Sequence, residues 1–424
     1  MGSNTFFSSS TSLPDANSPT LVLTHPSEAE RIQTWTLTHP MWGPALSLDS
    51  YVSRESYLTT VPLARHGGIT HWILTVSGLP ADERPILSSC ETLRKRVLYT
   101  TTTTTAKDGL KRVVKEGLAH GIGSVFTDKQ FRGRGYASRM MTELAKALRG
   151  NGGWQRGTMM CVLYSDIGKA FYSKHGWGVF ESGHVEFKPK AQDSGEKQGA
   201  DHRDEAKGES EGKVKMIGYH ELAELCCVDE RLLRERLSRL ANGDEDHDGE
   251  LKGEKNENKK KKAVHVAIVP ELDQMLWHLM REDFMTKHIF GKIPQVKGAV
   301  YGEKGNRVWA VWTRGYYGGL EKMEGNTLHI LRVVIENEKG ISEEQLVEGL
   351  RSIVEVARAE AAEWRSEKVQ MWNPSQRLRG AIGKIGVEYE YVDRDKDSIA
   401  SLMWYGDEAT EEVDWVCNEK YAWC

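Results

Sequence analysis

The sequence predicts an α/β protein built from two units, each with a mixed sheet and flanking helices. Three observations carry this reading. Strand-like runs alternate with amphipathic helical stretches in both halves of the chain. The order strand, loop, long helix, strand, short helix occurs over Gly121–Gly176 and recurs after Leu328. Between them, Gln192 to Lys213 consists of Asp, Glu, Lys, Gly and Ser, a composition that cannot bury enough apolar surface to order itself. At 424 residues the chain also exceeds what one hydrophobic core usually supports.

Residues 1–19, rich in Ser, Thr, Pro and Asn, read as a disordered tail. The first unit, 20–190, opens on a strand at Leu21–Leu23, a helix across Glu28–Trp35 and a second helix near Leu48–Tyr57. Strand signals follow at Ile69–Val76 and Arg96–Thr100, with Thr100–Thr105 as the end of that strand or its turn. A strand then runs to Thr127, a helix to Leu148 and another strand over Met159–Leu163. After the linker 191–213 comes a C-terminal unit, 214–406, opening on a helix with Leu222, Leu225, Leu232, Leu233, Leu237 and Leu240 at near-helical spacing. A second charged stretch, 242–262, reads as a loop inside that unit. Strands are expected at Val296–Tyr301, Val308–Thr313 and Thr327–Ile335, then a long helix over Ser342–Trp364. Val369–Trp372, a short helix and strands near Val387–Val392 and Ile399–Tyr405 complete it. Residues 407–424 form an aromatic-rich tail expected to fold back on a domain, with lining of an acceptor pocket as the sharper alternative.

Composition narrows the function. A net charge of -4 argues against nucleic-acid binding, which needs a concentrated basic face, and the basic run Lys259–Lys262 follows an acidic stretch. None of the six cysteines makes a CxxC pair, and no His/Cys cluster has zinc spacing, so reduced thiols and no metal are expected. The start of the chain lacks the features of a secretory signal and carries Phe6 where myristoylation wants Ser or Thr. No apolar run approaches the roughly 20 residues that span a bilayer. The expectation is a cytoplasmic protein without a membrane partner.

Gly121–Leu148 carries the chemistry. An apolar strand (Ile122, Val125, Phe126, Thr127) turns through Asp128–Phe131 into Arg132-Gly133-Arg134-Gly135-Tyr136-Ala137. Ala137, Met140, Met141, Leu144, Ala145 and Leu148 then share one helical face. A glycine-rich loop opening a helix presents backbone N–H groups and the positive end of the helix dipole to an anion. Gly133 and Gly135 allow close approach, Arg132 and Arg134 add charge, and the implied ligand is a pyrophosphate. The spacing fits neither a Walker loop nor a Rossmann fingerprint.

Gln130-x-x-Gly133-x-Gly135-x-Ala137 at a strand-to-helix turn resembles the acetyl-CoA signature of the GNAT acetyltransferases. A second motif agrees: after Met159–Leu163, the chain keeps Phe171, Tyr172 and Gly176 at the offsets of the family's Asn-x-x-Ala-x-x-Phe-Tyr-x-x-x-Gly-Phe. Ser165, Gly168 and Trp177 stand at its Asn, Ala and final Phe. Ser124–Thr127, Arg139–Met141 and Val162–Gly168 further resemble the fungal lysine N6-acetyltransferases, which acetylate free L-lysine at the start of its catabolism and pair a GNAT domain with a distinct C-terminal domain. The resemblance covers most of residues 20–190. It implies a GNAT fold in the first unit and acetyl-CoA as cosubstrate. The implied cofactor-binding residues are Val125, Phe126, Thr127, Gln130, Arg132, Gly133, Arg134, Gly135, Tyr136, Ala137, Ser165 and Lys169.

In the reaction the resemblance implies, a neutral amine attacks the thioester directly. A lysine amine has a pKa of about 10.4, so the site must remove a proton. Glu116 and His120, upstream on the strand to Thr127, are the candidate acceptors. The resemblance implies that a backbone N–H near Thr127 receives the developing oxyanion and that Tyr172 protonates the departing thiolate. Polyamines, amine toxins and protein lysines remain alternative acceptors, and a non-catalytic acetyl-CoA-binding protein is the alternative from outside the enzymes.

The C-terminal unit reads as a degenerate second GNAT-like copy. Its loop Glu336-Asn337-Glu338-Lys339-Gly340 places acids where a pyrophosphate would lie, and no tyrosine occurs between Asn373 and Val387. A structural or substrate-shaping domain without its own CoA motif is expected, with an unrelated α/β domain as the alternative.

Overall fold

Two mixed sheets organise the chain; the first takes three strands from the second half of the sequence and the second takes one from the first half. The computed structural model describes residues 13–105, 109–149, 157–191, 214–243 and 263–423. The tail before residue 13, the linker 192–213 and residues 244–262 of the second charged stretch lie outside them.

The first part of the chain forms β1 (Leu21–Thr24), α1 (Glu28–Trp42), α2 (Leu48–Leu58) and β2 (Ile69–Val76). Ser27 and Glu30 close a capping box on α1, which satisfies N–H groups the helix itself leaves free. α1 runs further than its Thr-rich second half and Pro40 suggest, because Trp35 and Thr38 are buried. The hairpin β3 (Ser88–Thr105) and β4 (Gly109–Phe126) is much longer than the strand signals at Arg96–Thr100 and before Thr127. Then come α3 (Tyr136–Leu148), β5 (Thr158–Ser165), α4 (Ala170–Ser173), β6 (Gly178–Val179) and β7 (Gly183–Phe187).

The second part supplies β8 (Val214–Ile217), α5 (Tyr219–Ala241), β9 (Val264–Ile268), α6 (Leu272–Phe290), β10 (Gly298–Tyr301), β11 (Val308–Tyr316) and β12 (Asn326–Ile335). It continues with α7 (Glu343–Glu363), β13 (Lys368–Trp372), α8 (Gln376–Ile382), β14 (Tyr389–Asp393), β15 (Ile399–Trp404) and β16 (Val413–Trp415). The sequence pattern did not announce α6. Its buried side interleaves Gln274, His278, Glu282 and Thr286, at four-residue spacing, with Met275, Trp277, Leu279 and Met285, and these polar residues blur the apolar stripe that periodicity detects. Each has a partner: Gln274 and His278 bond Tyr421 O, Thr286 donates to Glu282 O, and Glu282 holds Lys297 and Arg314.

The first sheet has the order β1-β2-β3-β4-β5-β15-β6, with β9 continuing on β3 beyond the end of β2 and β16 on β9. The second has the order β14-β7-β13-β12-β11-β10-β8. β7 thus enters the second sheet from the first half, and β15 enters the first from the second half. α3 packs one face of the first sheet through Met140, Met141, Leu144 and Leu148. On the other face Leu93 meets Leu58 of α2 and Trp277 of α6. A single apolar cluster joins Ala119, Met160 and Val162 of the first sheet to Trp309 and Leu331 of the second. Among the described residues no helix is long and apolar enough to cross a membrane.

Candidate active site

β4 and β5 run parallel and pair from Leu118, and the ladder stops at Ile122 opposite Leu163. Beyond that point β5 pairs with β15, with Ser165 opposite Ile399, and β4 keeps only β3. A slot therefore opens in the sheet between the end of β4 and β5. Its β4 wall is bulged: Gly123 stands opposite Glu91 but Phe126 opposite Ser89, one residue more on β4. Ser124 takes the strain at φ +52, and the backbone amides of Ser124–Thr127 lie outside the β5 ladder.

The glycine loop follows. Asp128 accepts a bond from Gln130 N, and Gly133 and Gly135 adopt φ of +75 and +83, which their missing side chains permit. Gly135 caps α3 without a side-chain bond, so the first-turn N–H groups are left for a ligand. Arg134 and Gln130 are exposed beside it. Arg132 lies over the Phe126 ring and donates to Thr127 O at 3.0 Å. Ser88 Oγ bonds Thr127 Oγ1, steadying the strand end that also carries Val125. Tyr136 is buried, its phenol donating to Pro14 O at 2.6 Å, so residue 14 lies on the first turn of α3, where Ala137 is half-buried. Ser165 is buried and its hydroxyl donates to Gly168 O, shaping the turn into α4. Lys169 pairs with Asp395 at 2.7 Å. An uncapped helix start, two left-handed glycines, exposed cations and a strand edge free for an extended amide chain fit acetyl-CoA.

Tyr172 lies on the α3 face, packed with Cys90, Cys161, Leu163 and Trp177. It is 7% exposed, and burial raises the phenol well above its usual range, with Cys90 and Asp166 adding to the rise. Its oxygen has no hydrogen bond among the described residues.

The two candidate proton acceptors on β4 are not at the slot. Glu116 stands opposite Leu98, eight residues before Ser124, or about 26 Å of strand. Arg96 and Arg234 hold it at 2.8 and 2.6 Å, and the Arg96 hydrogen bond first of all lowers its carboxyl to about 2. His120 is fully buried inside the paired part of the ladder, opposite Cys161, and burial lowers it to about 4.

A residue the sequence did not single out occupies the better position. His71 on β2, Glu91 on β3 and Gly123 on β4 stand opposite one another in one cross-sheet row that ends at the slot. Glu91 accepts from Ser124 Oγ at 2.8 Å and lies 3.5 Å from His71 Nε2. Burial, then the Glu55 charge, raises its carboxyl to about 7, and burial lowers His71 to about 4. Only strand register brings Glu91 here, which is why no motif marks it.

The second sheet repeats the splay: β12 and β13 are parallel and their ladder ends at Ile330 opposite Met371. The C-terminal segment fills it. Glu419 accepts from Val333 N at 3.1 Å and from Arg332, which is also paired with Asp229 at 2.8 Å. Tyr421 is buried and donates to Ile268 O. Glu336, in the loop after β12, is bound by Arg307 and by the backbone N–H of Gly305.

A splayed parallel pair, a glycine loop at a helix start and a buried tyrosine on the next helix define an acetyl-CoA-dependent N-acetyltransferase of the GNAT type. Residues 108–177 match the Acetyltransferase (GNAT) family. Residues 184–424, more than half of the chain, match the family described as LYC1 GNAT-like C-terminal domain, and the chain belongs to that family. It is 25% identical over 437 residues to a "Lysine acetyltransferase" of Yarrowia lipolytica (strain CLIB 122 / E 150), across 95% of this chain and 99% of that one. Solved structures with a similar course include a probable N-acyltransferase of Enterococcus faecalis V583, at TM-score 0.47 and 10% identity over 91% of this chain and 72% of that one. Another is the N-myristoyltransferase of Saccharomyces cerevisiae with bound myristoyl-CoA, at TM-score 0.47 and 7% identity over 95% of this chain and 82% of that one.

Proposed function

We propose that the protein transfers the acetyl group of acetyl-CoA to the N6-amine of free L-lysine. The observation that carries this is a pair of guanidiniums near the Glu91–His71 pair that no carboxylate holds, Arg31 lying only over the Trp35 ring. Arg281 on α6 acts electrostatically on Glu91, and Arg31 on α1 acts on His71. Neither makes a side-chain hydrogen bond or ion pair among the described residues, although both are half-buried and Arg31 Nε is fully enclosed. A half-buried cation without a hydrogen-bonded carboxylate is costly unless an anion completes it. A carboxylate on the substrate supplies that anion and distinguishes an amino acid from a polyamine. The covering of this face by α2 and α6, with Tyr57 stacked on Phe284, argues against an open groove for a peptide. The Yarrowia relative, a lysine acetyltransferase by name, supports lysine as the residue type acetylated.

In this reading the glycine loop and the first turn of α3 hold the pyrophosphate, and the β4 edge at Val125–Thr127 pairs with the pantetheine arm. Acetyl-CoA supplies the activated acyl group. The chain supplies an oxyanion donor from the bulged β4 backbone and a proton from Tyr172 to the departing sulfur.

The test is thiol release with acetyl-CoA and an amine panel of L-lysine, ornithine, cadaverine, spermidine and a lysine-containing peptide. Preference for lysine over cadaverine, which differs only by the carboxylate, supports the reading. Equal kcat/KM for the two, or preference for the peptide, overturns it.

A further inference from the structure

We infer that Glu91 is the residue that takes the proton from the attacking amine. The inference rests on the acetyl-transfer reading but not on lysine as the acceptor.

The geometry begins with what β4 lacks. The β4 positions on the Glu91 face nearest the slot are Gly121 and Gly123, so β4 itself has no side chain there that could accept a proton. Glu91, directly opposite Gly123 on the neighbouring strand, fills that space and reaches Ser124 Oγ at the bulge. Its side chain is 12% exposed, so an amine can reach a carboxylate that is otherwise enclosed.

Face matters as much as distance. Glu91 lies on the sheet face covered by α1, α2 and α6, since Leu93, two residues on, packs against α2 and α6. Tyr172 lies on the opposite face with Cys90 and α3. The slot between β4 and β5 passes from one face to the other. An acyl carbon in the slot therefore has a proton acceptor on the side where the amine enters and a proton donor on the side where sulfur leaves.

The proton balance closes. The Glu91 carboxylate takes one proton from the ammonium and passes it to solvent through its exposed edge. The neutral nitrogen forms the C–N bond, the C–S bond breaks, and the sulfur takes a proton from Tyr172. The second proton lost by nitrogen replaces it through solvent. The groups that set the Glu91 titration are Glu55 and Arg54 on α2, Ser124 on β4 and Arg281 on α6, while His71 on β2 stands 3.5 Å away with its own pKa lowered by burial and then by Arg31 on α1 and His25. Burial and Glu55 outweigh Ser124, Arg54 and Arg281, which leaves a carboxyl titrating at about 7, near the operating pH where general bases are most effective.

The experiment is the pH profile of Glu91→Gln with whichever amine of the panel the wild-type enzyme uses best, beside acetyl-CoA binding measured calorimetrically. We expect kcat/KM at pH 7 to fall at least about 100-fold, acetyl-CoA affinity to hold, and the inflection near 7 to vanish. The variant's rate should then climb tenfold per pH unit as solvent alone deprotonates the amine. Glu91→Asp, which keeps a carboxylate, should recover part of the rate and an inflection, and it serves if the glutamine variant does not fold. A glutamine variant within threefold of wild type at pH 7, or one that keeps the inflection, overturns the inference. Silence of the wild-type enzyme across the panel instead removes the functional reading beneath it.

Discussion

Replacing Tyr172 with phenylalanine removes one oxygen from a packed cluster and leaves no partner unsatisfied among the described residues. The variant should therefore fold as the parent does, with a melting temperature that is unchanged or slightly raised. Its effect on chemistry should be large. In water a phenol near pKa 10 protonates a thiolate near 8.5 only uphill, by roughly 2 kcal/mol. Burial in the site raises the phenol and the thiolate together, because both anions lose water in the Tyr172 shell, so protonation by Tyr172 stays near its aqueous balance while an unprotonated thiolate becomes much less stable. Cys161, in that same cluster, shows the size of the effect: burial raises its thiol to about 12. A departing thiolate raised from about 8.5 to the same level is less stable by about 5 kcal/mol. Without Tyr172 the sulfur must leave unprotonated or wait for water. Tyr172→Phe should thus lower the single-turnover rate by 10² to 10⁴, the usual range for a general acid. The assay is rapid-quench acetyl transfer with saturating acetyl-CoA, so that product release does not mask the step, together with acetyl-CoA binding. A rate within threefold of wild type would refute both the acid role and the desolvation argument.

Gly133→Val changes a residue at φ +75 where an added Cβ meets nothing within 4 Å, so its effect comes from backbone conformation rather than from a clash at Cβ. Strain of about 1–3 kcal/mol should weaken acetyl-CoA binding by roughly tenfold or more, and an unchanged affinity in calorimetry would remove the pyrophosphate from this loop. Glu116→Gln should alter kcat by less than about threefold, against the 10² or more that loss of a proton acceptor brings. Because Glu116 titrates lower in the folded protein, its pairing stabilises the fold above pH 4.5, and the benefit disappears as pH falls toward 2. At 41% exposure that contribution is below about 1 kcal/mol, to be read from urea midpoints across pH. Arg332→Met leaves Asp229 and Glu419 buried without their shared cation and should destabilise the protein by about 3–5 kcal/mol. Activity of the folded fraction should persist, and loss of kcat without loss of stability would tie the filled second splay to catalysis.

The glycine loop at the start of α3 was legible in the chain because it is local: four residues, two of them glycines, and one helix start form it, and neighbours in sequence are neighbours in space. The amphipathic α3 was legible for the same reason. The acceptor side was not. The register of a long hairpin positions Glu91, and the polar residues along β3 and β4 hid how far that hairpin runs. α6, which carries Arg281, mixes buried polar residues into its apolar side, and these are matched by Lys297, Arg314 and the backbone of Tyr421.

By itself, then, the sequence determined the α/β architecture of both units, the glycine loop at the start of α3 and the class of reaction. Tertiary structure alone decided which strands share a sheet, that the C-terminal segment fills the second splay, and that Glu91 rather than Glu116 or His120 faces the slot. The physical reason is range: loop and helix signals are written within a few residues. A proton acceptor, by contrast, is defined by burial and by charges that arrive from α1, α2, α6 and β2, which only the folded chain brings together.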